Sequence, residues 1–356
     1  MQTFTAPEFQ FENGAVIQQA PVQYKTWGKL NPAGDNAIMV CHALTGDPHV
    51  DDWWGGLLGP GKALDTDRYF VVAANVLGSP YGSASPLSTH PATGQPYSAD
   101  FPAATIRDTV AIHKLLLEDL GVQQLAMAIG GSMGGMQVLE WGYYKDFVRA
   151  LVPIAVGGRH SAWCIAWGEA QRQAIFADPK WNKGYYTPGN EPEAGLAAAR
   201  MMAMISYRSM PSFRQRFARN RMTNSAGEEV LSVNSYLQYQ GDKLVDRFDA
   251  NCYVQLTLQM DSHDVSRGRG TYPDVLGQLT QPTLVVGIES DVLYSLPEQE
   301  ELAQYIPGAS LVLLPSMHGH DAFLIELEAL NILVCNWMKD HVNPNQTTKS
   351  IAACAS

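Results

Sequence analysis

Ser132 sits in the run Gly130-Gly131-Ser132-Met133-Gly134-Gly135, and that setting gives a plain hydroxyl chemical interest. The apolar segment Leu125-Ala126-Met127-Ala128-Ile129 precedes it and reads as a buried strand; Met136 to Trp141 reads as a helix. A serine at a Gly-x-Ser-x-Gly corner between strand and helix is a nucleophile elbow. So tight a turn admits only small neighbours, lifts the hydroxyl above the sheet and aims amide N–H groups from the helix start toward it. The bare pattern also occurs as a glycine-rich turn with an incidental serine, so the partners must decide.

A serine hydroxyl is a weak nucleophile that needs a base, and the base needs an orienting group. After such an elbow the partners follow in the order acid, then histidine. Asp291, in Glu289-Ser290-Asp291-Val292-Leu293, stands just past the apolar run Thr283 to Ile288; a solvated loop carboxylate is the competing reading. In Met317-His318-Gly319-His320-Asp321 two histidines compete. The glycine before it and the helix start after it favour His320, with His318 as a loop residue. His113 reads as a packed or surface residue within a helix, and His263 as structural. An oxyanion needs donors. The N–H of Met133, next after the nucleophile, is one; the N–H of Leu44, in the loop Ala43-Leu44-Thr45-Gly46-Asp47 after an early strand, is the expected second.

Arg200 lies in Gly195 to Ile205, a helical stretch apolar nearly all round. Such a helix is expected to be buried. A buried guanidinium needs a counter-ion, and none is evident nearby in sequence, so a bound carboxylate held by its planar fork is attractive. Tyr207 falls near the same helical face. Arg267 and Arg269, between glycines, could meet a phosphate, although a solvated loop is the plainer reading. Arg208, Arg214 and Arg216 have surface roles as their default.

These residues need a frame. Residues 14–29, 37–42, 70–75, 151–156, 283–288 and 310–314 read as strands, and residues 105–120 as a helix capped by Gly121. A strong helix spans Glu193 to Tyr207, and another, from about Ala322 to Lys339, closes the fold. Strands alternating with helices imply an α/β fold with a mostly parallel central sheet flanked by helices. Residues 159–275 are rich in helical pattern and poor in strands, so they read as an inserted helical cap (lid) over the carboxyl ends of the strands, where open sheets bind ligands. The core is then 1–158 plus 276–342, and 343–356 a frayed tail.

Bulk properties exclude several classes. The 356 residues carry a net charge of −11, which argues against a general nucleic-acid binder. No apolar run approaches membrane-spanning length, and the N-terminus lacks the pattern of a signal peptide. Five scattered cysteines, with no metal-like spacing, read as free thiols of a reducing cytoplasm. No metal site and no nucleotide-phosphate loop is expected.

Further motifs add specificity: His42-Ala43-Leu44-Thr45-Gly46-Asp47, Gly59 to Thr66, Asn75-Val76-Leu77-Gly78, Thr105-Ile106-Arg107-Asp108, Arg247-Phe248-Asp249-Ala250-Asn251 and Gly319-His320-Asp321-Ala322-Phe323-Leu324. With the serine corner they resemble the homoserine O-acyltransferases of methionine biosynthesis, chiefly the O-acetyltransferases, from about residue 10 to 340. The resemblance implies an α/β-hydrolase core with a helical cap, a triad of Ser132, Asp291 and His320, and substrate binding by Arg200, Tyr207 and Asp321. It also implies L-homoserine and acyl-CoA as small-molecule substrates, acetyl-CoA as cosubstrate with no tightly bound cofactor, and a cytoplasmic homodimer assembled through the cap. The chain departs from many members at Ser79 to Pro86 and at Val292 to Ser295.

The expected chemistry is a ping-pong acyl transfer through Ser132. Alternatives are a succinyl-CoA-dependent transfer to homoserine or serine, a serine esterase, and a non-catalytic ligand-binding protein on the same fold.

Overall fold

The computed structural model describes residues 1–224 and 227–342, so the expected tail at 343–356 lies outside the described residues. Five central strands are continuous apolar runs because helices cover both faces of the sheet. In chain order the strands are β1 (Gln2–Gln10), β2 (Val16–Trp27), β3 (Ala37–Cys41), β4 (Phe70–Ala74), β5 (Leu125–Gly131), β6 (Leu151–Ile154), β7 (Arg221–Thr223), β8 (Glu229–Leu231), β9 (Leu284–Gly287) and β10 (Ser310–Leu313). The helices are α1 (Val50–Trp53), α2 (Ile106–Asp119), α3 (Met133–Trp141), α4 (Ala162–Phe176), α5 (Glu193–Ser206), α6 (Met210–Phe217), α7 (Ser232–Val245), α8 (Ala250–Asp261), α9 (Tyr272–Leu276), α10 (Leu296–Tyr305), α11 (Ala322–Ile325) and α12 (Leu327–His341).

Eight strands form one sheet in the order β1-β2-β4-β3-β5-β6-β9-β10. The β1–β2 and β2–β4 pairs are antiparallel, and every pair from β4 to β10 is parallel. Alternate residues of each strand serve opposite faces. Met39, Cys41 and Ala128 pack with Val110, Leu116 and Trp141 on one side. Ile38, Val40 and Ile129 pack with Leu330, Val334 and Trp337 on the other. At the head of α2, Thr105 and Asp108 form a reciprocal capping box, which satisfies two otherwise unpaired amide donors.

Between β6 and β9 the chain leaves the main sheet. That stretch contributes α4 to α9 and a two-stranded hairpin, β7–β8, that the sequence reading did not anticipate. Strand β1 was also unanticipated. It is an edge strand in which only Ala6 and Phe9 are buried, so it lacks the apolar run of its central neighbours. The expected closing helix is two helices, broken at Glu326, where the backbone turns to φ −87°, ψ 52°. Helix α5 is not buried all round: Ile205 is 46% exposed, and the apolar stripe of Leu196, Ala199 and Ala203 faces inward.

Candidate active site

Strand β5 runs into α3 through Ser132, whose backbone takes φ 58°, ψ −126°. That region is disfavoured for a residue with a side chain and costs about 1–3 kcal/mol. Close packing leaves room for nothing larger around it. A Cβ on Gly134 would lie 2.1 Å from the Cys41 carbonyl oxygen, and one on Gly131 would lie 2.7 Å from the Phe323 ring. The glycines therefore let the turn press against β3 and α11, and the serine is the one side chain released from it. Ser132 is buried and lines a small cavity. Met133 opens α3, so its N–H is a first-turn donor without an intrahelical acceptor. Leu44 lies beyond β3 and lines the same cavity. Gln137 ties the two segments together: its Nε2 donates to the carbonyls of His42 and Met133, each at 3.3 Å.

Asp291 follows β9, and His320 lies in the 3₁₀ turn Gly319–Asp321. They meet at 2.6 Å, His320 Nδ1 to Asp291 Oδ2. The other carboxylate oxygen accepts the N–H groups of Leu293 (2.8 Å) and Tyr294 (3.0 Å), which fixes the acid. Burial pulls the His320 pKa down, but the charge and hydrogen bond of Asp291, with help from Asp321, outweigh it and raise the net value above 6.5. His320 Nε2 is buried and has no hydrogen-bond partner among the described residues. A histidine held by a carboxylate on one nitrogen and free on the other can take and return a proton. His318 turns elsewhere, with Nδ1 3.1 Å from Ser212 Oγ.

Gly319 brings this loop against the inserted helices. It has φ 70°, and a Cβ there would lie 2.7 Å from the Ser209 backbone nitrogen. Asp321 N–H donates to the Tyr207 carbonyl at 3.1 Å. The Tyr207 and His320 rings lie 5.8 Å apart. Arg200 is half-buried rather than buried, stands over the Tyr207 ring at 5.7 Å, and has no ion-pair partner among the described residues.

Asp321 has an ion-pair partner: Arg208 Nε lies 3.1 Å from its Oδ2. Burial raises the Asp321 pKa against the opposing pull of Arg208, His320 and Arg200. Arg208 thus has a role beyond the surface one expected of it. Nothing in its local sequence marks it, because its partner comes from a distant loop.

The other candidates resolve simply. His113 is fully buried, bonds the Asn75 carbonyl through Nε2 at 3.2 Å, and is pushed down to about 4 by burial. His263 is buried against the Gly157 carbonyl. Arg267 pairs with Glu12 at 2.7 Å, and Arg269 pairs with the buried Glu140 at 2.7 Å. Arg267 is the exposed loop residue expected, whereas Arg269 is half-buried, and each already has a carboxylate partner. Cys41, Cys164 and Cys252 are free and buried, and Cys335 is buried; Cys354 lies outside the described residues. Among the described residues no helix is long and apolar enough to cross a membrane.

Sequence reasoning missed the far wall of the cavity, where His160, Cys164, Trp167 and Asp261 stand. His160 Nδ1 lies 3.1 Å from the Tyr294 hydroxyl. Arg172, behind this wall, pairs with Asp261 at 2.7 Å. Each partner of that pair is on a different helix, so no local spacing betrays it.

The family model described as alpha/beta hydrolase fold matches residues 36–327. A homoserine O-acetyltransferase of Salinibacter ruber is 61% identical over 341 residues, covering 94% of this chain and 97% of its own length. Among solved structures, a homoserine O-acetyltransferase from Bacillus anthracis superposes with a TM-score of 0.88 at 24% identity, covering 96% of this chain and 98% of that one. An esterase matches equally well, with a TM-score of 0.88 at 27% identity and coverage of 95% and 99%. Fold likeness at these identities does not separate transferase from esterase, whereas the near full-length sequence identity does. The chain belongs to the homoserine O-acetyltransferase family, built on the alpha/beta hydrolase fold.

Proposed function

We propose that this chain transfers an acetyl group from acetyl-CoA to the side-chain hydroxyl of L-homoserine, in methionine biosynthesis, through an acetyl-Ser132 intermediate. The observations that carry the reading are the buried His320–Asp291 pair, with His320 Nε2 left free, and the strained, cavity-lining Ser132. In the first half, Ser132 Oγ attacks the thioester carbonyl carbon and its proton passes to His320 Nε2. The N–H groups of Met133 and Leu44 hold the oxyanion. The C–S bond breaks, and the His320 proton goes to the departing thiolate. In the second half, His320 takes the proton of the homoserine hydroxyl, whose oxygen attacks the acetyl carbonyl. The ester bond to Ser132 breaks, and the proton returns to Ser132 Oγ.

Arg200, unpaired over Tyr207, binds the amino-acid carboxylate, and Asp321 meets the ammonium. Residues 159–275 act as the cap over a core of 1–158 and 276–342, and limit water at the acyl-enzyme. Exposed Trp163, Ile205 and Met210 on the inserted helices suit pairing with a second copy, which light scattering would detect. Buried free thiols suit a reducing cytoplasm.

The likeness to an esterase supports one rival, hydrolysis of the same acyl-enzyme. Incubation with acetyl-CoA alone should leave an acetyl adduct on Ser132 by mass spectrometry, and added homoserine should discharge it as O-acetylhomoserine. Rapid acetate release that homoserine does not alter would favour the esterase. Absence of the adduct together with full activity in Ser132→Ala would end the acyl-enzyme scheme.

A further inference from the structure

Strand β3 ends at Cys41, and His42 opens the loop that carries Leu44. His42 is buried, and the reaction above does not use it. Both of its ring nitrogens are engaged. Val76 N–H donates to Nε2 at 3.2 Å, so that nitrogen keeps its lone pair and Nδ1 carries the proton. Nδ1–H donates in turn to the Ala43 carbonyl at 2.9 Å. Burial pushes the His42 pKa down against the opposing pull of the Ala43 carbonyl, Asp47 and Asn75, which keeps the ring neutral with its one proton on Nδ1. The main chain of His42 is itself held, because its carbonyl accepts from Gln137 on α3.

The Ala43 carbonyl and the Leu44 N–H belong to one peptide unit. In a planar trans peptide the two point in opposite directions. Whatever grips that oxygen therefore aims that N–H. Two donors grip it: His42 Nδ1–H, and the Gly46 N–H at 2.9 Å. Gly46 closes directly over the ring. A Cβ there would lie 3.0 Å from His42 Cβ and 3.2 Å from both His42 Nδ1 and the Ala43 oxygen. The Leu44 N–H has no acceptor among the described residues, and Leu44 lines the same cavity as Ser132. The rest of the turn has its own hold, since Arg247 Nη1 donates to the Thr45 carbonyl at 2.9 Å. Loss of the Nδ1 donor should therefore re-aim one peptide rather than unfold the loop.

We propose that His42 is a positioning residue for acyl transfer: by holding the Ala43 carbonyl it aims the Leu44 N–H at the oxyanion formed on Ser132. Such donors accelerate a reaction only when they are fixed before the charge develops. The inference rests on the acyl-enzyme reading, with Leu44 as one oxyanion donor.

The test uses the full chain and two substitutions that divide the ring between them. Asn places an amide donor near the Nδ1 position and offers nothing at Nε2; Gln places an acceptor near Nε2 and loses the donor to Ala43. Acylation of Ser132 is read from the nitrophenol burst with p-nitrophenyl acetate, and deacylation from discharge of the acetyl-enzyme by homoserine. Both are measured where denaturant unfolding shows each variant fully folded. His42→Gln should slow the two steps alike by about thirtyfold, short of the roughly 10²–10³-fold that outright loss of an oxyanion donor costs. His42→Asn should stay within about threefold of wild type. Gly46→Ala, which crowds the contact between Nδ1 and the carbonyl, should slow both steps about fivefold.

Equal rates in His42→Asn and His42→Gln overturn the proposal, because a merely structural histidine would not divide them. So does an effect confined to one of the two steps. If His42→Gln does not fold, Gly46→Ala decides, and unchanged rates in it overturn the proposal. A wild type that gives the burst but forms no O-acetylhomoserine would instead refute the acetyl-transfer reading, and the acylation rates would still decide the role of His42.

Discussion

Tyr294 stands between two histidine–aspartate pairs, its ring 5.2 Å from His320 and 5.8 Å from His160. Both histidines are buried and both have a carboxylate near. Yet the His320 pKa is raised, whereas that of His160 is pushed down to about 3. The difference lies in what each carboxylate already does. Asp291 gives one oxygen to two backbone amides and the other wholly to His320. Asp261 spends its charge on Arg172, and its Oδ1 stays 3.7 Å from His160. Proximity of an acid does not make a histidine basic; an uncommitted, hydrogen-bonded acid does.

The comparison can be broken most directly at its active member. His320→Ala should lower kcat by about 10⁶-fold, as removal of a triad base does elsewhere. Asp291→Asn, which keeps the shape but loses the tautomer control, should cost about 10⁴-fold. His160→Gln should cost about tenfold or less in the same steady-state assay, because it sits outside the proton path. A loss for His160→Gln as large as that for Asp291→Asn would merge the two pairs into one catalytic system.

The structural member is tested by stability. Arg172→Leu strands Asp261, and denaturant unfolding should show a loss near the low end of the roughly 3–5 kcal/mol typical of a broken buried pair, since Asp261 keeps some water contact.

Titration sharpens the contrast with smaller effects. His320 must be neutral to accept a proton, so the acid limb of kcat/KM should fall above pH 6.5, in line with its raised pKa. The stability that His320 contributes is fully present below its unfolded pKa and is lost as pH rises through its folded one. His160, with His113 and His263 held down to about 4, does the opposite. Between pH 6.5 and about 4 the unfolded chain takes up protons that these buried rings refuse. Each ring should therefore cost about 1.4 kcal/mol of stability per pH unit on acidification. Unfolding midpoints measured across that window should fall accordingly.

Much of the parallel sheet was legible in the sequence because its central strands are continuous apolar runs. The serine corner was legible because sterics demand its glycines. Asp291 and His320 were marked by chain order after strands, and the structure brings them together. What escaped notice depends on contacts between distant segments. Strand β1 lies at an edge, lacks a continuous apolar run and buries little. The break at Glu326 leaves no proline or glycine as a signal. Arg200 was expected inside an all-round buried helix, but composition does not reveal which face of α5 lies against protein. Arg208 and Arg172 find their acids across the fold, where no spacing rule reaches.

The glycine before His320 has one more consequence. Gly319 lies backbone to backbone against Arg208 and Ser209, Tyr207 accepts from Asp321, and Ser209 donates to the Met317 carbonyl. These bonds form a seam that welds the base-bearing loop to the inserted helices. Lifting residues 207–209 would undo all of them together and leave Asp291 as the hold on His320. Parting this seam and unseating the histidine loop would therefore be one mechanical event rather than two.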